Sequence, residues 1–163
     1  AGYLTSSDRP LPDLAVLTSP AMDSTLPRWK LALAGVLGKV TPNLEIANGI
    51  DPSTLCWDPS VGRRAAADPV TATKTTARFG AEALAEQDRV RSTCVLISIP
   101  TLVLHGLDDG LVPASSSEFF AAVPGVERRT YPGLRHELHN ELDGPQIIDE
   151  VIAWLREHAT VEA

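Results

Sequence analysis

Thr101-Leu102-Val103-Leu104-His105-Gly106-Leu107-Asp108-Asp109, followed by Tyr131-Pro132-Gly133-Leu134-Arg135-His136-Glu137, is the most informative part of this chain. The first stretch is an apolar run that ends in acids. It reads as a buried strand, because strands covered on both faces lose the alternation of half-exposed ones. The second stretch follows Val126–Tyr131, a strand of alternating character, and closes on a histidine. Between them Pro113 opens a helix in which Phe119, Phe120 and Val123 are available to pack, and Pro124-Gly125 stops it.

Upstream, Leu14-Ala15-Val16-Leu17-Thr18 is a short apolar run bounded by prolines and reads as a further buried strand. Residues 1–7 read as the last turns of a helix feeding it. Residues 75–91 have helix-forming composition. At the far end Asp143 and Gln146 have capping-box spacing, and Pro145 sits near the first turn. Ile147, Ile148, Val151, Ile152, Trp154 and Leu155 are the expected buried face of that last helix. Strands alternating with helices predict an α/β fold with a parallel sheet.

Residues 22–72 differ in character. Pro, Asp, Asn and Gly are frequent and no strand pattern is visible. Trp29, Leu33, Val36, Leu37 and Val40 share one helical face, with Pro27 suited to the first turn. Asp51-Pro52, Asp58-Pro59 and Asp68-Pro69 mark turns or helix starts. The expected division is a core strand region at 1–21, an inserted helical cap at 22–72, and at 73–163 the part of the core that carries the acid and the histidine. Two readings of the 29–40 apolar face stay open: a lipid-facing lid surface, or a face packed on the protein beneath.

In a parallel sheet, consecutive strands joined by a crossover end at the same edge, where ligands bind. Asp109 and His136 follow neighbouring strands, so the spacing brings a carboxylate to an imidazole. That pair suits nucleophilic ester chemistry. A neutral imidazole takes the proton of a serine hydroxyl, and a carboxylate fixes the imidazole tautomer. The order acid then histidine matches the second and third members of a Ser…Asp…His triad. No Gly-x-Ser-x-Gly occurs in the 163 residues.

His105-Gly106-x-Asp108-Asp109-x-Leu111-Val112-Pro113, together with Tyr131-Pro132-Gly133-Leu134-x-His136-Glu137-x-x-Asn140-Glu141, closely resembles the monoacylglycerol lipase family. Leu17-Thr18-Ser19-Pro20-Ala21-Met22-Asp23 and the region from Pro42-Asn43 to Asn48-Gly49-Ile50-Asp51-Pro52 resemble the strand and cap of bacterial members. The resemblance runs from about residue 10 to 157. It implies an α/β-hydrolase fold, Asp109 as the catalytic acid, His136 as the base, and an ester of the monoacylglycerol class as substrate. It implies no metal or organic cofactor. The family's serine elbow and oxyanion loop normally precede the strand at 14–18. The chain is therefore expected to be the C-terminal part of a longer hydrolase, inactive alone, with its serine within roughly fifteen residues upstream of Ala1. The implied partners are that missing N-terminal half, a lipid or ester substrate, and a membrane surface met peripherally through the cap. The sequence does not give the compartment; a cytoplasmic or peripherally membrane-associated setting is the favoured expectation. A non-catalytic module binding an apolar ligand, and a lysophospholipase or acyltransferase of the same superfamily, are the alternatives.

Other features exclude or dilute competing functions. A net charge of -7 argues against a nucleic-acid partner, which needs clustered Lys and Arg; Arg128-Arg129 read as two solvated residues flanking a strand. Cys56 and Cys94 read as ordinary thiols. Ser115-Ser116-Ser117 lie at a helix start and read as capping residues. Pro20 argues against Ser19 as a nucleophile. His139 and His158 read as surface residues, Asp108 as a turn acid, and Glu137 as either a buttress or an exposed helix-start acid. No Gly-x-Gly-x-x-Gly follows a strand, which disfavours a nicotinamide enzyme.

Overall fold

The computed structural model describes residues 1–6, 9–23 and 27–159. In chain order the regular elements are β1 (Ala15–Thr18), α1 (Arg28–Val40), β2 (Glu45–Ala47), α2 (Pro59–Ala67), β3 (Lys74–Thr76), α3 (Ala77–Thr93), β4 (Thr101–Gly106), β5 (Val126–Tyr131) and α4 (Gly144–His158). β1, β4 and β5 form a parallel sheet with β4 in the centre. Ala15 lies opposite Thr101, and Thr101 opposite Val126.

The central position of β4 explains its composition. All six of its residues are buried, and each face supplies one core. Val103 packs with Leu4, Val90, Cys94, Ile97, Phe120 and Val123. Leu102 and Leu104 point the other way, onto Leu138, Ile147 and Trp154. This is the alternation of a strand covered on both faces, and each fully buried Leu contributes about 1.5–3 kcal/mol.

Several expectations need correction. β1 is apolar but only partly buried, because it forms one edge of this sheet. The start of the chain is a 3-10 turn at Gly2–Thr5 rather than a longer helix, and Ser7 lies outside the described residues. The segment after Pro113 is also 3-10, over Ala114–Ala122. Of its serines Ser117 bonds locally, its Oγ 3.0 Å from the Ala114 carbonyl, and Ser116 reaches the Pro20 carbonyl at 3.3 Å. None of these serines caps the segment. Asp143 precedes α4 without a side-chain cap bond, so the capping box does not form. The expected buried face of α4 is split. Ile147 and Trp154 are buried, whereas Ile148 and Ile152 are 45% and 38% exposed beside the open edge of β1.

The outlying layer contains strands that the sequence pattern hid. β2 pairs antiparallel with β3, Glu45 opposite Thr76. All three residues of β2 are exposed, so no apolar alternation marks it. The two aspartates that start helical turns act as read. Asp51 accepts from Ser53 N at 2.9 Å, and Asp58 from Ser60 N at 2.7 Å. Asp68 instead closes α2, its side chain accepting from Val70 N at 2.9 Å. α1 packs on α3 with its small residues, so closely that a Cβ on Gly38 would lie 2.5 Å from the Ala81 Cβ. Its Trp29, Leu33, Val36 and Val40 row faces outward, with Trp29 64% and Val40 72% exposed. That decides against packing as the role of this face within the chain. No helix among the described residues is long and apolar enough to cross a membrane.

Candidate active site

All three parallel strands end at one rim, and each contributes a residue there. Asp109 follows β4, His136 follows β5, and Ser19 follows β1. His136 Nδ1 donates to Asp109 Oδ2 at 2.8 Å. The Asp109 side chain is completely buried and that of His136 is 26% exposed. The other Asp109 oxygen, Oδ1, accepts from the amides of Leu111 and Val112, each at 2.9 Å. Burial by itself would raise the Asp109 carboxyl pKa. The hydrogen bonds from His105, His136, Val112 and Leu111 outweigh it and hold the group well below the ordinary carboxylate range. Asp109 is thus an anion that keeps a hydrogen on His136 Nδ1 and leaves Nε2 as the basic nitrogen.

The histidine loop is held from several sides. Pro132-Gly133 forms a turn in which Gly133 has φ +78°, a conformation that favours glycine. Gly106 lets the loop lie directly on the end of β4, where a Cβ would meet the Leu134 and Arg135 carbonyls at 2.3 Å. Asp108 N donates to the Leu134 carbonyl at 3.0 Å. Ser19 Oγ donates to the His136 carbonyl at 2.7 Å. Ser19 is buried and has φ +42°, a left-handed setting uncommon outside glycine. The sequence shows Ser19 only as a strand-end residue; its contact lies 117 positions away.

Glu141, unremarked as a functional candidate, is 5% exposed and joins two layers. Its carboxylate accepts from Arg135 N at 2.8 Å and from Trp57 N at 3.0 Å. The Arg135 guanidinium lies 3.4 Å over the Trp57 ring, and Trp57 Nε1 donates to the Gly133 carbonyl at 2.7 Å. Glu137 N donates to the Leu55 carbonyl at 2.8 Å, while the Glu137 side chain accepts from Asn140 Nδ2 at 2.6 Å. Residues 53–57 and the histidine loop therefore form one bonded corner.

A cavity of about 590 Å³ opens beside His136 between this rim and the outlying layer. Leu31, Ala34, Ile50, Leu84, Leu111 and Val112 supply its apolar wall, and Ser19, Asp23, Asn48 and Gln87 its polar points. Its size and lining suit a small organic ligand with a long apolar part. Among the described residues no group of three or more His, Cys, Asp or Glu could hold a metal ion.

The remaining expectations divide. Cys56 and Cys94 are both free and buried. His139 and Asp108 are exposed. His158 is half-buried and stacks on Trp154 with ring centroids 4.3 Å apart. Arg128 is not simply solvated: its Nε donates to Ser117 Oγ at 3.0 Å. Arg129 pairs with Glu127 at 2.7 Å.

A parallel sheet with an acid and a histidine bonded at its carboxyl rim, beneath an inserted layer, defines an α/β-hydrolase. Residues 2–143 match the family model described as serine aminopeptidase, S33. The monoacylglycerol lipase of Mycolicibacterium smegmatis is 31% identical over 150 residues, covering 88% of this chain and 53% of that protein. A monoglyceride lipase homolog of monkeypox virus is 28% identical over 146 residues, covering 86% and 52%. The crystal structure of Paleococcus ferrophilus monoacylglycerol lipase superposes with a TM-score of 0.84 at 28% identity, over 90% of this chain and 60% of that one. The chain belongs to the serine aminopeptidase S33 family of α/β-hydrolases, as a monoacylglycerol lipase-like member. It spans about half the length of the two relatives compared by sequence.

Proposed function

We propose that this chain is the acid- and histidine-bearing part of a serine ester hydrolase acting on monoacylglycerols or similar carboxylic esters. The nucleophilic serine and the oxyanion loop come from residues upstream of Ala1. The observation that carries this reading is the 2.8 Å bond from His136 Nδ1 to a buried Asp109 anion at the wall of an apolar cavity. In the reaction, His136 Nε2 takes the serine proton as the hydroxyl attacks the ester carbonyl. It then protonates the leaving alcohol, and the cycle repeats with water. Asp109 stabilises the imidazolium that forms between the two transfers. The cavity between the cap (residues 22–72) and the rim receives the acyl chain.

Two features support an upstream part that completes the sheet. Among the described residues β1 pairs only with β4, which leaves its other edge as one that proteins ordinarily cover. Beside it, Val16, Leu104, Ile148 and Ile152 line an apolar hollow of about 200 Å³. The test compares the 163-residue chain with the product of its coding region extended upstream, on a monoacylglycerol substrate. We expect no hydrolysis from the former and hydrolysis from the latter, lost in His136→Ala. Activity of the short chain alone would overturn the upstream assignment. Activity retained in His136→Ala would remove His136 from the triad.

The outward row of α1 supports peripheral contact with a lipid surface. We expect neutral phosphatidylcholine vesicles to sediment the complete protein. The double variant Trp29→Ser with Val36→Ser should bind at least about thirtyfold more weakly, since each change removes roughly 1 kcal/mol or more of apolar transfer energy. Equal sedimentation of the two proteins would overturn the contact.

A further inference from the structure

His105 lies near the end of β4, completely buried, and the triad reading leaves it without a task. Its Nε2 is 3.2 Å from Asp109 Oδ2, the same oxygen that His136 Nδ1 reaches at 2.8 Å. Nε2 is also 3.1 Å from the Val112 carbonyl, and Nδ1 is 2.9 Å from Ser117 Oγ. Behind Ser117 stands Arg128, whose Nε donates to Ser117 Oγ at 3.0 Å and whose second guanidinium nitrogen donates to the Ala114 carbonyl at 2.7 Å.

Counting hydrogens gives this cluster a direction. Carboxylate and carbonyl oxygens only accept, so the hydrogen of His105 sits on Nε2. Ser117 accepts from Arg128 and has one hydrogen of its own. That hydrogen has two acceptors in reach, the Ala114 carbonyl at 3.0 Å and His105 Nδ1 at 2.9 Å. When it goes to Nδ1, the order of donation is Arg128 to Ser117, Ser117 to His105, His105 to Asp109. If Ser117 gave its hydrogen to Ala114 instead, both ring nitrogens of His105 would carry one. Nε2 donates toward Asp109 in either arrangement.

We propose that His105 is a positioning residue of the triad: it fixes the Asp109 carboxylate from behind and shares the charge of the oxygen that holds His136. This rests on the ester-hydrolase reading above. The charge on Asp109 Oδ2 is divided between two imidazoles, so removing one donor strengthens the pull on the other. Loss of the His105 donor therefore favours the protonated form of His136 and also loosens the carboxylate. The charged and titratable groups facing the cluster are Asp109 from the loop after β4, Arg128 from β5 through Ser117, and His136 from the loop after β5. Asp23 lines the cavity that His136 borders.

The test uses His105→Gln and His105→Asn in the complete enzyme, with His136→Ala as control. A glutamine amide nitrogen falls near the place of Nε2 and can still donate to Asp109. An asparagine amide nitrogen falls near Nδ1 and cannot. We expect the Gln variant to keep kcat within about threefold and its pH profile unchanged. The Asn variant should lose on the order of 10- to 100-fold in kcat with KM little changed, and the acid limb of its kcat/KM profile should move to higher pH. If Asn fails to fold, Ser117→Ala, which removes the hydroxyl that orients His105, should move the limb the same way by a smaller amount. A folded Asn variant with the limb and rate of the Gln variant, or an unmoved limb in Ser117→Ala where Asn does not fold, would overturn the role. Retained activity in His136→Ala would instead sink the triad reading itself.

Discussion

On the ester-hydrolase reading, Asp109→Asn is expected to lower kcat of the complete enzyme by about 10⁴-fold. The reason is a shortage of acceptors. Asp109 Oδ1 receives two backbone amides and Oδ2 receives two imidazoles. An asparagine offers one oxygen, so in either orientation its NH2 faces two donors. Turned toward the imidazoles, it forces His136 to accept at Nδ1, which moves the hydrogen to Nε2 and removes the base. Turned the other way, it breaks the 109–112 turn that places the carboxylate. Stability follows with a definite sign. The Asp109 carboxyl is depressed in the folded state, so its contribution is complete above the unfolded range near pH 4 and is lost as pH falls toward the folded value. The Tm gap between wild type and Asp109→Asn is therefore constant around neutrality and narrows below about pH 4. Parallel melts at pH 7 and pH 3 check this, and a gap that stays fixed or widens in acid would contradict it. So would a kcat within tenfold of wild type.

Glu141→Leu destabilises the complete protein by roughly 3 kcal/mol or more, because it strands two amides that now bond a buried carboxylate. The orphaned donors are Arg135 N and Trp57 N. For a protein at least this large that corresponds to a fall in Tm of several °C. Activity falls too, since Arg135 adjoins His136 and its backbone position is set by Glu141. Glu141→Gln keeps one oxygen and should lie between the two. A thermal melt and a kcat measurement on the three proteins decide it; a Tm change under about 2 °C in the Leu variant would remove Glu141 from the anchoring role.

The pairing of Asp109 with His136 was legible because parallel strands leave little choice about where their ends meet. β4 announces itself as a continuous apolar run, and the turn chemistry of Pro132-Gly133 marks the end of β5. The supporting contacts were not legible. Ser19 meets His136 across 117 positions and Trp57 meets Glu141 across 84, separations that no local pattern encodes. His105 read as part of a buried strand, and only its three-dimensional neighbours show that it shares the carboxylate. β2 escaped because three exposed residues carry no periodicity. The outer row of α1 and the second apolar row of α4 have the pattern of buried faces. Periodicity records which residues avoid water, without saying what covers them.

The corner tied by Glu141, Trp57 and Arg135 limits how the cavity can admit a ligand. Residues 53–57 cannot swing outward without dragging His136 from Asp109, so this side works as a fixed pivot. On the opposite side α1 rests on α3 through a close helix contact, and the chain on either flank of α1 is bonded to α3 and β3. On the ester-hydrolase reading, a ligand that enters from the side carrying Trp29 and Val36 would reach the cavity without disturbing the bond between His136 and Asp109.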